Sequence, residues 1–350
     1  MAKSFVDALQ QEQLPWKACW QTPLPENATN GKKYRGINSL MLSFIAGQAG
    51  YGDSRWCTFK QATEKGWKIR KGSKGVHVEY WAYYDTKERK LLSWADANKI
   101  MREDPDYAEK NLQLRSRVYT VFNGDQIEGI PEKTHTNTLS IDEILSKRDT
   151  LLQNMDLKVR EGGSQPYYEP ETDTVCMPVA ADFFDQYAYA CTLLHECGHA
   201  TGHSSRLNRD LTGAFGTSDY AKEELRAEIA SAFAAQALGI NLSDSQLEAH
   251  MGLHKAYIQS WAADLTDAPT ELFKAIKDAE IISDYLIEKG EFMKEKNAVK
   301  KVVPELDYIE SKAPEQKMSL SERLKKAQMQ LDTMQENQVK IKTNDKELGR

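Results

Sequence analysis

The sequence predicts an α+β protein: an amino-terminal α+β part, then a mainly helical part with a small edge sheet. Three observations predict it. Short runs rich in Val, Tyr and Phe, "GVHVEYWAYY" and "RVYTVFNGDQ", stand among turn-forming residues before residue 130. Beyond Ile141, apolar residues recur with a period of about 3.6. Between the two, "GIPEKTHTNTLS" is polar, carries Pro and Thr and has no period, as a linker would. The expected boundaries are a first domain at 1–130, a linker at 131–140, a second domain at 141–295 and a charged, partly helical tail at 296–350.

The elements follow in order. "LPENATNGKKYRG" is loop, and the two Val- and Tyr-rich runs are strands. "YYEPETDTVCMP", bounded by prolines, reads as an edge strand or hairpin. Helices are expected at 182–202, 219–238, 244–264 and 269–289, with Gly202, Gly239 and Gly290 as stops. In the tail, Ser319 and Glu322 form a capping box ahead of Leu320, Leu324, Ala327, Leu331 and Met334. That spacing describes one short amphipathic helix, a packing or self-association element over 319–334.

With 350 residues, 40% of them apolar, the chain can bury at least one sizeable core. "MAKSFVDALQ" has no apolar signal core and no run reaches the ~18 apolar residues of a membrane span, so a cytoplasmic protein without membrane partners is expected. The five cysteines are scattered and form no C-x-x-C pair, which points to free thiols.

Net charge is −6, but it is unevenly spread. Residues 1–74 carry twelve Lys/Arg against five Asp/Glu, a balance of +7 that leaves −13 on the other 276. Such asymmetry suggests that the amino-terminal part meets a polyanion. Basic and aromatic residues interleave there, in "PWKACW", "GKKYRGIN", "SRWCTFK" and "GWKIRKGSKG". Single-stranded nucleic acid asks for this combination, since cations neutralise phosphates while rings stack on unpaired bases. The candidate contacts are Trp16, Lys32, Lys33, Tyr34, Arg35, Trp56, Lys60, Lys68, Arg70 and Lys71. Several of the tryptophans must simply be core.

Between Leu193 and His203 the chain reads "LLHECGHATGH". Residues four apart share a helical face, so His195 and His199 can present ring nitrogens to one ion while Glu196 reaches its open side. This is the zincin pattern. A catalytic zinc site needs a third protein ligand. The extended metzincin pattern would place a histidine at 205, where Ser205 stands. His203 continues the face, yet it lies ~6 Å farther along the axis, so a surface or cleft position is expected for it.

The better source is "YAKEELRAEIASAFAAQALG", where acids in a small, apolar helix must be paired or metal-bound to tolerate burial. Glu224 is favoured as the ligand. Glu228, one turn on, then holds a histidine by its other ring nitrogen, or is itself the alternative ligand. Glu223 faces elsewhere and reads as solvated.

A zinc ion would lower the pKa of its water to about 7, and Glu196 would take the proton and later give it to a leaving amine. The expected enzyme is thus a gluzincin-like zinc metallopeptidase using one Zn2+, with other divalent metals possible and its protein or peptide substrate unnamed. Tyr220 or Arg206 could steady the oxyanion. Cys197 reads as a small buried hydrophobe, not a nucleophile.

Both halves together resemble the ArdC-type antirestriction proteins of conjugative plasmids and mobile elements. The resemblance runs through "LPWKACWQTPLPENATNGKKYRGINSLML", "RWCTFKQATEKGWKIRKGSKGVHVEYW", "LLHECGHATGHSSRLNRDLTGAFGTSDYAKEELRAEIASAFAAQALGI" and "HKAYIQSWAADL", over roughly residues 5–290. It implies an amino-terminal single-stranded-DNA-binding domain joined to a zincin-like metallopeptidase domain, and protection of incoming plasmid DNA from host restriction. His195, Glu196 and His199 match the family's motif, and "EELRAE" matches the segment expected to give the third ligand. Cys197 stands where such proteins often carry a larger apolar residue. Two other readings are a DNA-directed metalloprotease that degrades DNA-bound proteins, and a DNA-coating protein with structural zinc. Glu196 separates them, because a structural site has no use for a general base.

Overall fold

The computed structural model describes residues 14–133, 140–213, 217–250 and 269–292. The expected tail helix at 319–334, the far part of the 244–264 helix and the middle of the 131–140 linker lie outside them.

A five-stranded sheet organises the amino-terminal part. Its strands are β1 (Glu26–Asn27), β2 (Arg55–Thr58), β4 (Val76–Asp85), β5 (Lys90–Leu92) and β6 (Leu112–Asn123), in the order β1-β2-β6-β4-β5. The two runs expected as strands are β4 and β6, paired antiparallel over their length from Val76 opposite Val121 to Asp85 opposite Leu112. Alternation gives this sheet an inner face: Val78 and Val121 are buried with Trp56 against Leu42 and Ala46 of helix α1 (Gly36–Ala49). Strands β3 (Lys68–Ile69) and β7 (Ile127–Glu128) form a separate pair. Short helices α2 (Phe59–Glu64), α3 (Trp94–Glu103) and α4 (Pro105–Asn111) fill the connections.

The second part opens with α5 (Ile141–Ser146), started by a capping box of Ser140 and Glu143, and α6 (Arg148–Asn154). A small sheet follows, in the order β8 (Lys158–Glu161), β10 (Thr174–Met177), β9 (Tyr167–Glu169). The proline-bounded segment is therefore a hairpin of β9 and β10, with β10 central because β8 adds to it in parallel. Three long helices follow, the first of them packed on β9 and β10: α7 (Gln186–Ala200), α8 (Ser218–Leu238) and α9 (Pro269–Lys289). They match three of the helices expected from periodicity, and 244–250 is helical as well.

Asp185 caps α7 by accepting from the Ala188 N–H, and Gly239 ends α8 at φ 79°, a left-handed conformation that costs glycine little. Small side chains let α7 and α8 approach: a methyl placed on Gly198 would lie 3.7 Å from Ala227. This closeness brings acidic side chains of one helix to the histidines of the other.

The core crosses between the two parts. Leu14, Trp16, Trp20, Leu40 and Phe44 lie in one buried cluster with Leu194, Leu225, Ile229, Phe233 and Ile276. Leu242 N–H donates to the Trp20 carbonyl at 2.7 Å, and the Gln236 amide donates to the Thr22 carbonyl and the Ser43 hydroxyl at 2.9 Å each. Among the described residues no helix is long and apolar enough to cross a membrane.

Candidate metal centre

Helix α7 presents His195 and His199 on one face, with their Nε2 atoms 3.1 Å apart. Helix α8 brings Glu224 to the same point, its Oε2 lying 3.5 Å from His195 Nε2 and its Oε1 3.3 Å from His199 Nε2. One donor atom from each of the three residues falls within 4.8 Å of the others. Two imidazole nitrogens this close can share one proton between them, whereas the carboxylate would accept from both. A cation at the shared point would satisfy all three. Two imidazoles and one carboxylate are donors that suit a divalent ion such as zinc, so the residues present fit one.

The outer ring nitrogens also face carboxylates. His195 Nδ1 lies 3.6 Å from Glu228 Oε2, and His199 Nδ1 lies 3.5 Å from Glu223 Oε1. Glu223, expected to be solvated, is instead buried, because Arg209 reaches it with a 2.6 Å bond and also donates to the Gly198 carbonyl and the Thr201 hydroxyl. The signal missed was the arginine in the loop between the helices, the kind of partner a buried carboxylate requires.

Electrostatics concentrate charge here. Burial opposes a charge on His195, and Glu224 and Glu228 more than offset it, so its pKa stands well above the ordinary imidazole value. Burial opposes charge on His199 too, but Glu224 and Glu223 carry its pKa up to about 9. Glu224, despite burial, is held far below the usual carboxylate range by the two histidines. Glu196 is 6% exposed, and burial pushes its pKa up while the neighbouring histidines pull the other way. The backbone of Tyr168 in strand β9 also favours its charged form. Beside it, Cys197 is wholly buried with its thiol pushed up to about 12, a packing residue.

One further expectation is corrected. Arg206 cannot meet a substrate oxyanion: its guanidinium, with 3% of the side chain exposed, is engaged by Asp173, the Met155 and Ala200 carbonyls and the Tyr168 hydroxyl. It ties the end of α7 to the β9–β10 hairpin. His203, past the end of the helix, faces the Ser205 hydroxyl at 2.8 Å and stands outside the convergent group. Tyr220 lies in the first turn of α8, its N–H accepted by Thr217.

In the amino-terminal part, burial divides the candidate DNA contacts. Trp16 and Trp56 are fully buried, so stacking on bases is corrected to core packing. Tyr34 is half-buried against the Trp56 cluster, with its hydroxyl pKa pushed up to about 12 by burial. Lys33 pairs with Glu26, and Arg35 is held by Glu280 and Asp284 of α9. Lys32 is half-buried. Lys68, Arg70 and Lys71 are exposed, as is Lys60, which lies 3.6 Å from Glu64. The aromatic that "RWCTFK" exposes is Phe59, 65% accessible at the start of α2. Strand alternation does not mark it, since Trp56 and Cys57 of β2 are both buried and Phe59 lies beyond the strand's end.

Comparison with known proteins agrees with this architecture. A model of the N-terminal domain of the anti-restriction factor ArdC matches residues 1–122, and a zincin-like metallopeptidase model matches residues 146–278. A DNA primase TraC of Escherichia coli is 37% identical over 300 residues, which are 82% of this chain and 19% of the primase. The chain thus spans about a fifth of that relative's length. The uncharacterized protein y4eC of Sinorhizobium fredii is 36% identical over 264 residues, 75% of this chain and 80% of that protein. The metal-free crystal structure of the antirestriction ArdC protein from the R388 plasmid superposes with a TM-score of 0.62 at 31% identity, covering 84% of this chain and 97% of that one. The Mn(II)-bound structure of the same protein gives 0.61 at 32% identity, covering 83% and 96%. Matched through both parts and across nearly the whole of a solved relative, the chain belongs to the ArdC family of antirestriction proteins.

Proposed function

We propose that this chain binds single-stranded DNA through its amino-terminal part, cleaves a protein substrate at a zinc centre in its carboxy-terminal part, and so protects incoming plasmid DNA from restriction. The observation that carries the reading is the convergence of His195 Nε2, His199 Nε2 and the Glu224 carboxylate beside a buried Glu196. His195, His199 and Glu224 would hold the ion, with Glu228 and Glu223 orienting the two rings from behind. A bound zinc ion supplies Lewis acidity, polarising a carbonyl and acidifying water. Glu196 accepts the proton of the attacking water and returns it to the leaving amine.

For DNA, the exposed Lys60, Lys68, Arg70 and Lys71 supply the phosphate contacts and Phe59 a ring for stacking. Lys32, in the loop before α1, is a further candidate contact.

Glu196→Gln in the full chain is the decisive test, because the amide keeps the shape and removes the base. Proteolysis of a DNA-associated protein should vanish while metal content and single-strand binding persist. Cleavage at the wild-type rate by the variant would remove Glu196 from the chemistry. If antirestriction is lost with cleavage, proteolysis belongs to the function; if antirestriction persists, DNA coating is the reading that survives.

A further inference from the structure

We infer that Trp20, a residue of the amino-terminal part, is a positioning residue for the metal centre, acting through Glu228. The inference rests on the metal reading above and adds a component to it that lies outside the zincin-like segment.

Trp20 closes the 3-10 turn Pro15–Trp20 and is fully buried. Its indole Nε1 donates to Glu228 Oε1 at 3.4 Å, across 208 positions of sequence. The other oxygen, Oε2, lies 3.6 Å from His195 Nδ1 and 3.5 Å from His250 Nε2. The Trp20 and His250 rings meet edge to face, 4.6 Å apart. An indole N–H can only donate. By engaging Oε1 it turns the carboxylate so that Oε2 faces the histidine.

Consequences follow at the ion. A carboxylate on Nδ1 keeps the proton there and leaves the Nε2 lone pair directed at the shared donor point. Glu228 is wholly buried, so water cannot replace a lost donor at Oε1 without repacking. The position of Trp20 is itself set from α8 and beyond, since Leu242 N–H holds its carbonyl and Gln236 holds Thr22. The amino-terminal turn is therefore built into the rear wall of the centre.

The test uses the full chain and Co(II), whose visible absorption reports ligand geometry. Trp20→Phe keeps an aromatic filler and deletes the donor. It should fold cooperatively, bind Co(II) about tenfold more weakly and shift the absorption band. Glu228→Gln should weaken binding by a similar factor, and adding Trp20→Phe to it should cost no further affinity, because the route through Glu228 is already cut. Wild-type affinity and an unchanged spectrum in Trp20→Phe would overturn the inference. Should that variant not fold, unchanged Co(II) affinity in Glu228→Gln overturns the route equally. His195→Ala separates this failure from failure of the metal reading: if the wild type binds Co(II) no better than His195→Ala, both fall.

Discussion

Arg209 Nη2 donates to Glu223 Oε1 at 2.6 Å, and the same carboxylate oxygen lies 3.5 Å from His199 Nδ1. The arginine thus neutralises a buried acid that would otherwise oppose folding, and aims it at a ligand histidine. Removing one partner of a largely buried pair leaves the other uncompensated. Arg209→Ala should destabilise the metal-free protein by about 3 kcal/mol and weaken metal binding about tenfold. Urea unfolding and metal titration check the two parts. A variant as stable as wild type would mean that Glu223 finds another counter-ion.

Metal should stabilise the folded chain. At a free ion concentration one hundred times the dissociation constant, binding to the native state adds about 2.7 kcal/mol, enough to raise the melting temperature by several degrees in a protein of this size. Glu224→Ala should abolish the rise. Glu228→Ala should only shift it to ion concentrations about 10 to 100 times higher. Equal loss in the two variants would contradict the assignment of Glu224 as ligand and Glu228 as support.

DNA binding should separate the exposed candidates from the buried ones. Replacing Lys68, Arg70 or Lys71 by alanine should each reduce the slope of log affinity against log salt by about 0.7, the value for one single-strand phosphate contact. Phe59→Ala should cost about 1 to 3 kcal/mol of affinity. Trp56→Phe should lower stability and leave affinity unchanged. Fluorescence anisotropy with a labelled single strand at several salt concentrations distinguishes these outcomes, and loss of affinity in folded Trp56→Phe would restore it as a contact.

Acid should loosen the amino-terminal loop through Glu26. Burial opposes its charge, but Lys133, 2.7 Å from Oε1, and Lys33 more than offset this and hold its pKa below the usual carboxylate value. Because the folded pKa is the lower one, the contribution is complete above the unfolded pKa of about 4.3 and is lost as pH falls through the folded value. Lys133→Ala should therefore lower stability at pH 7, where the contribution is complete, and shift the acid-unfolding midpoint to higher pH, with the difference from wild type disappearing below the folded pKa. An unshifted midpoint would remove this pair from the acid response.

Much of this protein was legible along the chain. The strands β4 and β6 follow from Val- and Tyr-rich alternation, the three long helices from apolar period and caps, and the pairing of His195 with His199 from four-residue spacing alone. These features are local: each depends on residues within a turn or two. The identity of each acid was not local. Glu223, Glu224 and Glu228 lie within two turns of one helix, and periodicity leaves open which of them meets an imidazole and from which side. The approach of α7 to α8 through small residues decides that, because it sets how α8 is rotated about its axis toward the histidines. Tertiary packing likewise sends Trp16, Trp20 and Trp56 inward and gives Arg35 to α9, since a ring or a cation carries no mark in sequence of the distant surface that will cover it.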